Sequence, residues 1–456
     1  MGSICSYPWL LSGFSLLAFV FAFYFYKINK IFLSDLLLLI AIIFLAGFWY
    51  KANSSRDLDY FLGEKKSAVV KVISLPQDKG NFNSLYAQVK SIEGIDIKRK
   101  IKVRDYSKSL EYFNSYRLPC RLSRNYFKQR SYYTLWVKSE VKKEKLPAKF
   151  IDRLVQKSSG YLISVFRENC DDKASRFLSA IFLGRRELLR EESLAFSKIG
   201  ATHLLAISGL HLGMSALFLF FIFRLFNINH KNSLLLSFSF LCFYTYLTGA
   251  SASTLRALLM YFAFSLGFFL KRKTDSLNIF GFAGLTIAIL YPSMIFDIGF
   301  QLSFAAVFSI ILGFRIFKIK LLSHPLLNYS FSLLSCSFFV SVGILPIVSF
   351  YFGRVHILGV VFNLILIPYF TLIVGLNFLL IIFSPLNFIA KGLGDVLTPL
   401  IDHFQRMIVF IGNTGFSSIN YQFRSLDLIS YYLALVFLVI FLKKRNTGNI
   451  RDIKLK

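Results

Sequence analysis

Residues 8–26 read PWLLSGFSLLAFVFAFYFY, nineteen consecutive residues without an acid or a base. As an α-helix rising 1.5 Å per residue the stretch is about 28 Å long, close to the thickness of a bilayer's hydrocarbon core. A second apolar run, about 31–50, follows a short loop that holds Lys27 and Lys30, and it includes Asp35. The bias is not local. Phe fills 53 of the 456 positions, 55% of the residues are hydrophobic and only 17% are charged, where soluble domains carry about 25% charged residues. So little polar surface cannot wrap so much apolar material in water, which excludes an ordinary soluble enzyme and a disordered chain. The chain reads as a polytopic α-helical membrane protein.

The balance of 53 Lys+Arg against 24 Asp+Glu, a net charge of +29, helps to orient it. No Lys or Arg precedes the first span, so the basic start of a cleaved signal peptide is missing. The rule that cytoplasmic loops are basic places Lys27 and Lys30 inside and Lys51 outside. Further spans are expected near 200–226, 233–250, 252–270, 277–291, 296–314, 328–350, 357–383 and 427–442. The loops Arg224–Lys231, Lys271–Lys273 and Arg315–Lys320 then fall in the cytoplasm, as does the tail Lys443–Arg445 if 386–412 supplies one more crossing or a re-entrant path. The expected organisation is two N-terminal spans (1–50), an extracytoplasmic β domain (51–149), an amphipathic helical connector lying at the membrane face (150–198), a channel-type membrane domain (199–445) and a cytoplasmic tail (446–456).

Between Glu64 and Lys149, 21 Lys+Arg face 8 Asp+Glu. Long translocated segments are indifferent to loop charge, so topology does not explain the excess. Apolar residues alternate with period two over 67–75, 83–90, 95–103, 117–123 and 132–140, with turn residues between, as in Pro76-Gln77-Asp78-Lys79-Gly80. Five short strands suit a small Greek-key barrel of the OB type. Aromatics interleave with the cations, among them Tyr106, Tyr112, Tyr116, Tyr132, Tyr133 and Trp136. Cations for phosphates and flat faces for bases are what a single-stranded nucleic acid needs. Lys98, Arg99, Lys100, Lys102 and Arg104 form the best patch, with Tyr132 and Tyr133. The competing reading is a basic surface on anionic lipid headgroups, its aromatics filling a small core.

Ionisable groups within spans each need a reason. The clearest cluster is His203-Leu-Leu-Ala-Ile-Ser208-Gly209-Leu-His211, where small residues permit close helix approach or a break. On an unbroken helix His203 and His211 lie about 80° apart, poor spacing for one metal, so no metal site is expected. Ser208 with a histidine base is a conceivable nucleophile, but no G-x-S-x-G elbow surrounds it. Arg256 follows a small-residue run, Asp297 and Gln301 share a helix face, and Asn363 precedes Pro368, where a helix should bend or stop. Arg256 and Asp297 form an ion pair or line a polar path. No nucleotide-binding motif is present and no cofactor is expected. Cys120 and Cys170 both fall in the translocated region, where a disulfide between them is an open option.

The stretch ATHLLAISGLHLG (201–213) resembles the signature of the ComEC family, the DNA-internalisation channels of natural transformation in bacteria. SASTLRALLM, with Arg256, and the block containing Asn278, Pro292, Asp297, Gln301 and Ser303 are similar to further family segments, as is the spacing of Pro346, Phe350, Asn363 and Pro368. The resemblance implies a bacterial cytoplasmic-membrane channel that passes one DNA strand, with His203, Ser208, His211, Arg256, Asp297, Gln301 and Asn363 as polar residues of channel or gate. It also implies a cytoplasmic helicase-like ATPase and an extracytoplasmic DNA receptor as partners. Many members carry a metallo-β-lactamase-like domain after the membrane region. This chain has no H-x-H-x-D-H motif, so a separate nuclease is expected and the chain is not expected to be an enzyme. Two rivals remain: an intramembrane hydrolase or transferase using His203, Ser208 and His211, and a secondary transporter of a small anion using Arg256.

Overall fold

The computed structural model describes residues 61–453, apart from 64, 74–75, 80, 112–113, 128–129, 138–143, 148–149, 190–191, 318–323, 357 and 414–418. The two spans expected in 1–50 lie outside the described residues.

The first ordered unit is a sheet of seven strands: β1 (Lys65–Val72), β2 (Gln77–Asp78), β3 (Asn83–Ile92), β4 (Ile95–Asp105), β5 (Ser115–Phe127), β6 (Arg130–Val137) and β7 (Glu144–Leu146). Five of them close on themselves in the order β1-β3-β4-β6-β5-β1, a barrel spanning 66–137. Every barrel pairing is antiparallel except β4 with β6, where Lys102–Asp105 run beside Thr134–Val137. This order, with its single parallel seam, is the OB topology expected from the five alternating runs. Alternation does the sorting. Ala68, Val70, Val72, Leu85, Ala87, Val89, Ile101, Val103, Leu118, Leu122, Leu135 and Val137 fill the barrel, while their neighbours in sequence point outward. Asp105 occupies an inward phase, and its carboxylate accepts from the backbone N–H groups of Ser107, Ser109 and Leu110, which makes a buried acid tolerable.

The helices follow: α1 (Phe150–Asn169), α2 (Asp172–Leu183), α3 (Glu192–Lys198), α4 (Thr202–Leu205), α5 (Gly209–Leu225), α6 (His230–Leu247), α7 (Ala252–Phe269), α8 (Ser276–Leu290), α9 (Ile298–Ile316), α10 (Pro325–Phe352), α11 (Gly359–Phe383), α12 (Asn387–Gly412) and α13 (Ser425–Ile453). Four of them, α7, α9, α10 and α11, are long and apolar enough to cross a membrane, and α5, α8 and the first half of α13 are shorter apolar helices. Large side chains such as Leu217, Phe221, Leu266, Leu290, Phe338 and Phe437 stand exposed along them, as they must when lipid is the solvent.

The helices add detail to the expected spans and correct one of them. The single span over 200–226 is two helices, α4 and α5, separated at Ala206–Ser208. Nine of the twelve residues of helix α2 are buried, and Phe177, Phe182 and Leu183 join one core with Phe370, Val374 and Phe404. Pro368 does not end its helix, since α11 continues to Phe383. Segment 387–412 is one unbroken amphipathic helix that folds back along α11, with Tyr369 Oη donating to the Leu400 carbonyl at 3.1 Å. Its charged stripe, including Lys391, Asp395 and Arg406, is exposed.

Candidate nucleic-acid interface and membrane polar cluster

The break at Ala206–Ser208 organises the polar groups of the bundle. The carbonyl of Ile207 has no helical partner and accepts instead from Ser253 Oγ at 2.8 Å. Ser208 caps α5: its Oγ accepts from Leu210 N at 3.2 Å, and the Ser208 N–H donates to His211 Nδ1 at 3.1 Å. This is a capping box in which a histidine takes the place usually held by Glu or Gln. Because Nδ1 accepts, the ring proton sits on Nε2. That nitrogen is buried without a hydrogen-bond partner among the described residues, its ring edge-on to Phe370 at 5.1 Å between ring centres.

Arg256, on α7, is 6% exposed. Its Nη1 donates to the Ser303 carbonyl on α9, its guanidinium lies 5.9 Å from the Phe304 ring centre, and its Nε has no partner. Its Nη2 rests on the start of α5, where a Cβ on Gly209 would come within 2.8 Å of it. A side chain there would displace the guanidinium. The expected alternative of an Arg256–Asp297 ion pair is not made. Asp297 is exposed at the N-cap of α9, accepting from Gly299 N at 2.6 Å, and it no longer shares a helix face with Gln301. Gln301 donates to the Ile295 carbonyl at 3.3 Å. Asn363 is half-buried on α11. His203 lies across the break from His211, with Nδ1 3.2 Å from the Gly200 carbonyl, so the angle calculated for one continuous helix does not apply. The structure thus brings Ser208, His211 and Arg256 to the helix break and leaves Asp297 at a helix end.

On the barrel, register sorts the predicted patch. Lys102 pairs with Tyr86 on one side and Thr134 on the other, and Arg104 with Ser84 and Trp136. Arg104 lies over two rings, 4.5 Å from Trp136 and 5.3 Å from Phe82. Tyr106 stacks on Trp136 at 5.8 Å, and Trp136 Nε1 donates to Ser123 Oγ at 2.6 Å. With exposed Tyr86 nearby, β3, β4 and β6 present one outward face of cations and aromatics. Lys100 pairs with Gln88 in the same alternation, so Lys98, Lys100, Lys102 and Arg104 share one phase of β4, whereas Arg99 pairs with buried Val89 in the other. The side chains of Lys98, Arg99, Lys100 and Tyr132 lie outside the described residues. Tyr133 packs against the barrel core and leaves the outward face. Phe82 and Tyr86 were missed, although both precede or begin the strand that pairs with the basic run.

A second missed cluster joins barrel to bundle. Lys71 on β1 donates to Asp152 on α1 at 2.7 Å and to Tyr246 Oη on α6 at 3.0 Å, while Tyr246 Oη donates to the same carboxylate at 2.6 Å. Burial alone would raise the Asp152 pKa, but the hydrogen bonds from Lys71 and Tyr246 outweigh it and hold the carboxyl below its ordinary value. Cys120 and Cys170 do not pair. Cys120 is in the barrel core and Cys170 in the helical core, both free. Burial pushes their thiols up, to about 12 and about 11, which keeps them protonated and unreactive. Among the described residues no group of three or more His, Cys, Asp or Glu side chains could hold a metal ion.

With this geometry in view, residues 181–446 match a family model described as competence protein. The chain belongs to that family. The matched region holds the helix break, Arg256 and every membrane helix from α5 to α12. This competence-family chain is also 32% identical over 212 residues to ComE operon protein 3 of Bacillus subtilis, an alignment covering 46% of the chain and 26% of that protein. It is 28% identical over 173 residues to an uncharacterized protein of Aquifex aeolicus, covering 37% and 41% respectively. The alignments thus span well under two thirds of either relative. No solved structure matches.

Proposed function

We propose that this competence-family protein is the cytoplasmic-membrane channel through which a single DNA strand enters a bacterium during transformation. One observation carries the reading: a barrel face that stacks Arg104 between Phe82 and Trp136, beside Lys102 and Tyr86, is fastened to a membrane bundle by a buried ion pair. Such a face suits a flexible polyanion with exposed bases, and its affinity should fall steeply with salt. In this reading residues 61–198 face the outside, the basic loops face the cytoplasm, and Ser208, His211, Arg256, Gln301 and Asn363 belong to the path or its gate. A cytoplasmic helicase-like ATPase would drive the strand, an outer receptor would deliver it, and a nuclease on another chain or segment would degrade its complement.

The hydrolase alternative loses its motive, because capping accounts for the Ser208–His211 contact without a reaction. The transporter alternative leaves the barrel's stacked face unused. Labelled-DNA uptake into the cytoplasm of a strain lacking the gene tests the proposal: uptake should vanish while DNA still binds outside, and unimpaired uptake would refute it.

A further inference from the structure

Arg256 is a buried cation for which the described residues provide no carboxylate within 4.0 Å. The ion pairs that are present elsewhere, at Lys71–Asp152, Lys173–Asp402 and Arg315–Asp275, use basic groups outside the centre of the bundle. An isolated charge in a membrane bundle is costly, and a carbonyl and a ring are weak compensation for it. Its position makes matters worse. The guanidinium abuts the first turn of α5, the positive end of a 17-residue helix, where a cation is disfavoured and an anion favoured. Two positive ends meet at one break, and one anion between them would satisfy both.

We propose that this break is a phosphodiester-binding site: when the bundle opens, Arg256 exchanges the Ser303 carbonyl for a phosphate oxygen of the passing strand, and the first turn of α5 faces the same phosphate. The fork of an arginine suits two phosphate oxygens at once. In the absence of a strand the bond to Ser303 ties α7 to α9, so the residue that would receive the polyanion also holds the path shut. Gly209 serves both states, because no side chain intervenes between guanidinium and helix end.

This inference rests on the channel reading, and the experiment separates the two. Cells carrying Arg256→Gln, Arg256→Lys or wild type take up DNA whose entering strand has either a normal backbone or an internal patch of uncharged methylphosphonates. Uptake of the normal strand is expected to drop about tenfold in Arg256→Gln and by a smaller factor in Arg256→Lys, which keeps the charge but loses the fork. The neutral patch should slow wild type and leave Arg256→Gln no worse than before. Equal sensitivity to the patch in wild type and Arg256→Gln would overturn the site. So would restoration of Arg256→Gln by Asp35→Asn, which would reveal an internal counter-charge. Should Arg256→Gln fail to reach the membrane, Gly209→Ala is the second arm: its Cβ displaces the guanidinium with the charge retained, and patch sensitivity should again be lost. Normal uptake in a gene deletion would instead sink the channel reading itself.

Discussion

Lys71 and Arg256 are buried to nearly the same extent, 8% and 6% exposed, and their surroundings differ in kind. Lys71 meets a carboxylate and a phenol in short hydrogen bonds, which closes its electrostatics within the protein. Arg256 meets a carbonyl, a ring and the positive end of a helix. A neutralised charge needs nothing from outside and can serve as a fastener between barrel and bundle. One that no carboxylate among the described residues neutralises keeps its affinity for an anion. Burial by itself therefore does not identify a functional charge; the identity of its neighbours does.

Breaking the fastener is expected to have the largest effect. Asp152→Ala removes the carboxylate from buried Lys71 and should destabilise the barrel–bundle junction by about 3–5 kcal/mol, whereas replacing both partners with apolar residues should cost far less. Thermal unfolding of the full chain in detergent measures both. The sign of the pH dependence follows from the lowered Asp152 pKa. The pair's contribution is complete above the unfolded carboxyl's value, about 3.9, and is lost as pH falls through the lower folded value. Asp152→Asn should abolish that acid-side loss; an unchanged acid limb would show that the pair does not hold the junction.

The barrel face comes next. Trp136→Ala or Arg104→Ala in the full chain should weaken binding of a labelled single-stranded oligonucleotide by about 1–3 kcal/mol, the scale of one stacking contact. Tyr133→Phe, on the core side, should leave binding unchanged. If anionic vesicles compete as well as unlabelled oligonucleotide, the face is a lipid-docking surface and the strand reading of the barrel fails.

These two regions were legible to different depths. Period-two alternation placed the five barrel strands, because each inward position is apolar and one residue of slip would reverse every face. The same alternation puts Arg99 alone out of phase with Lys98, Lys100, Lys102 and Arg104; reading the run as a block hid that exception. Composition marked the membrane helices, and the small residues near Ser208 and Gly209 offered either close helix approach or a break; Ser253 and Arg256 arriving from α7 decide between them. Lys71–Asp152–Tyr246 was not legible at all. Its members are 81 and 94 residues apart along the chain, and only the docking of barrel on bundle makes them neighbours.

Smaller still is the expected effect at Ser208. As an N-cap, its replacement by Ala should cost about 0.5–2 kcal/mol of stability, and DNA uptake should fall by no more than that loss of folded protein explains. Asn at the same position, also a good cap, should restore both. A nucleophile behaves otherwise: Ala and Asn would be equally dead, and no capping residue could rescue either. The pair of substitutions therefore asks whether the break, like the Lys71 junction, is satisfied by hydrogen bonds at its serine while its arginine is left open. Rescue by Asn, together with the loss of charge sensitivity at Arg256, would separate a serine that only caps the helix from a guanidinium that receives the strand.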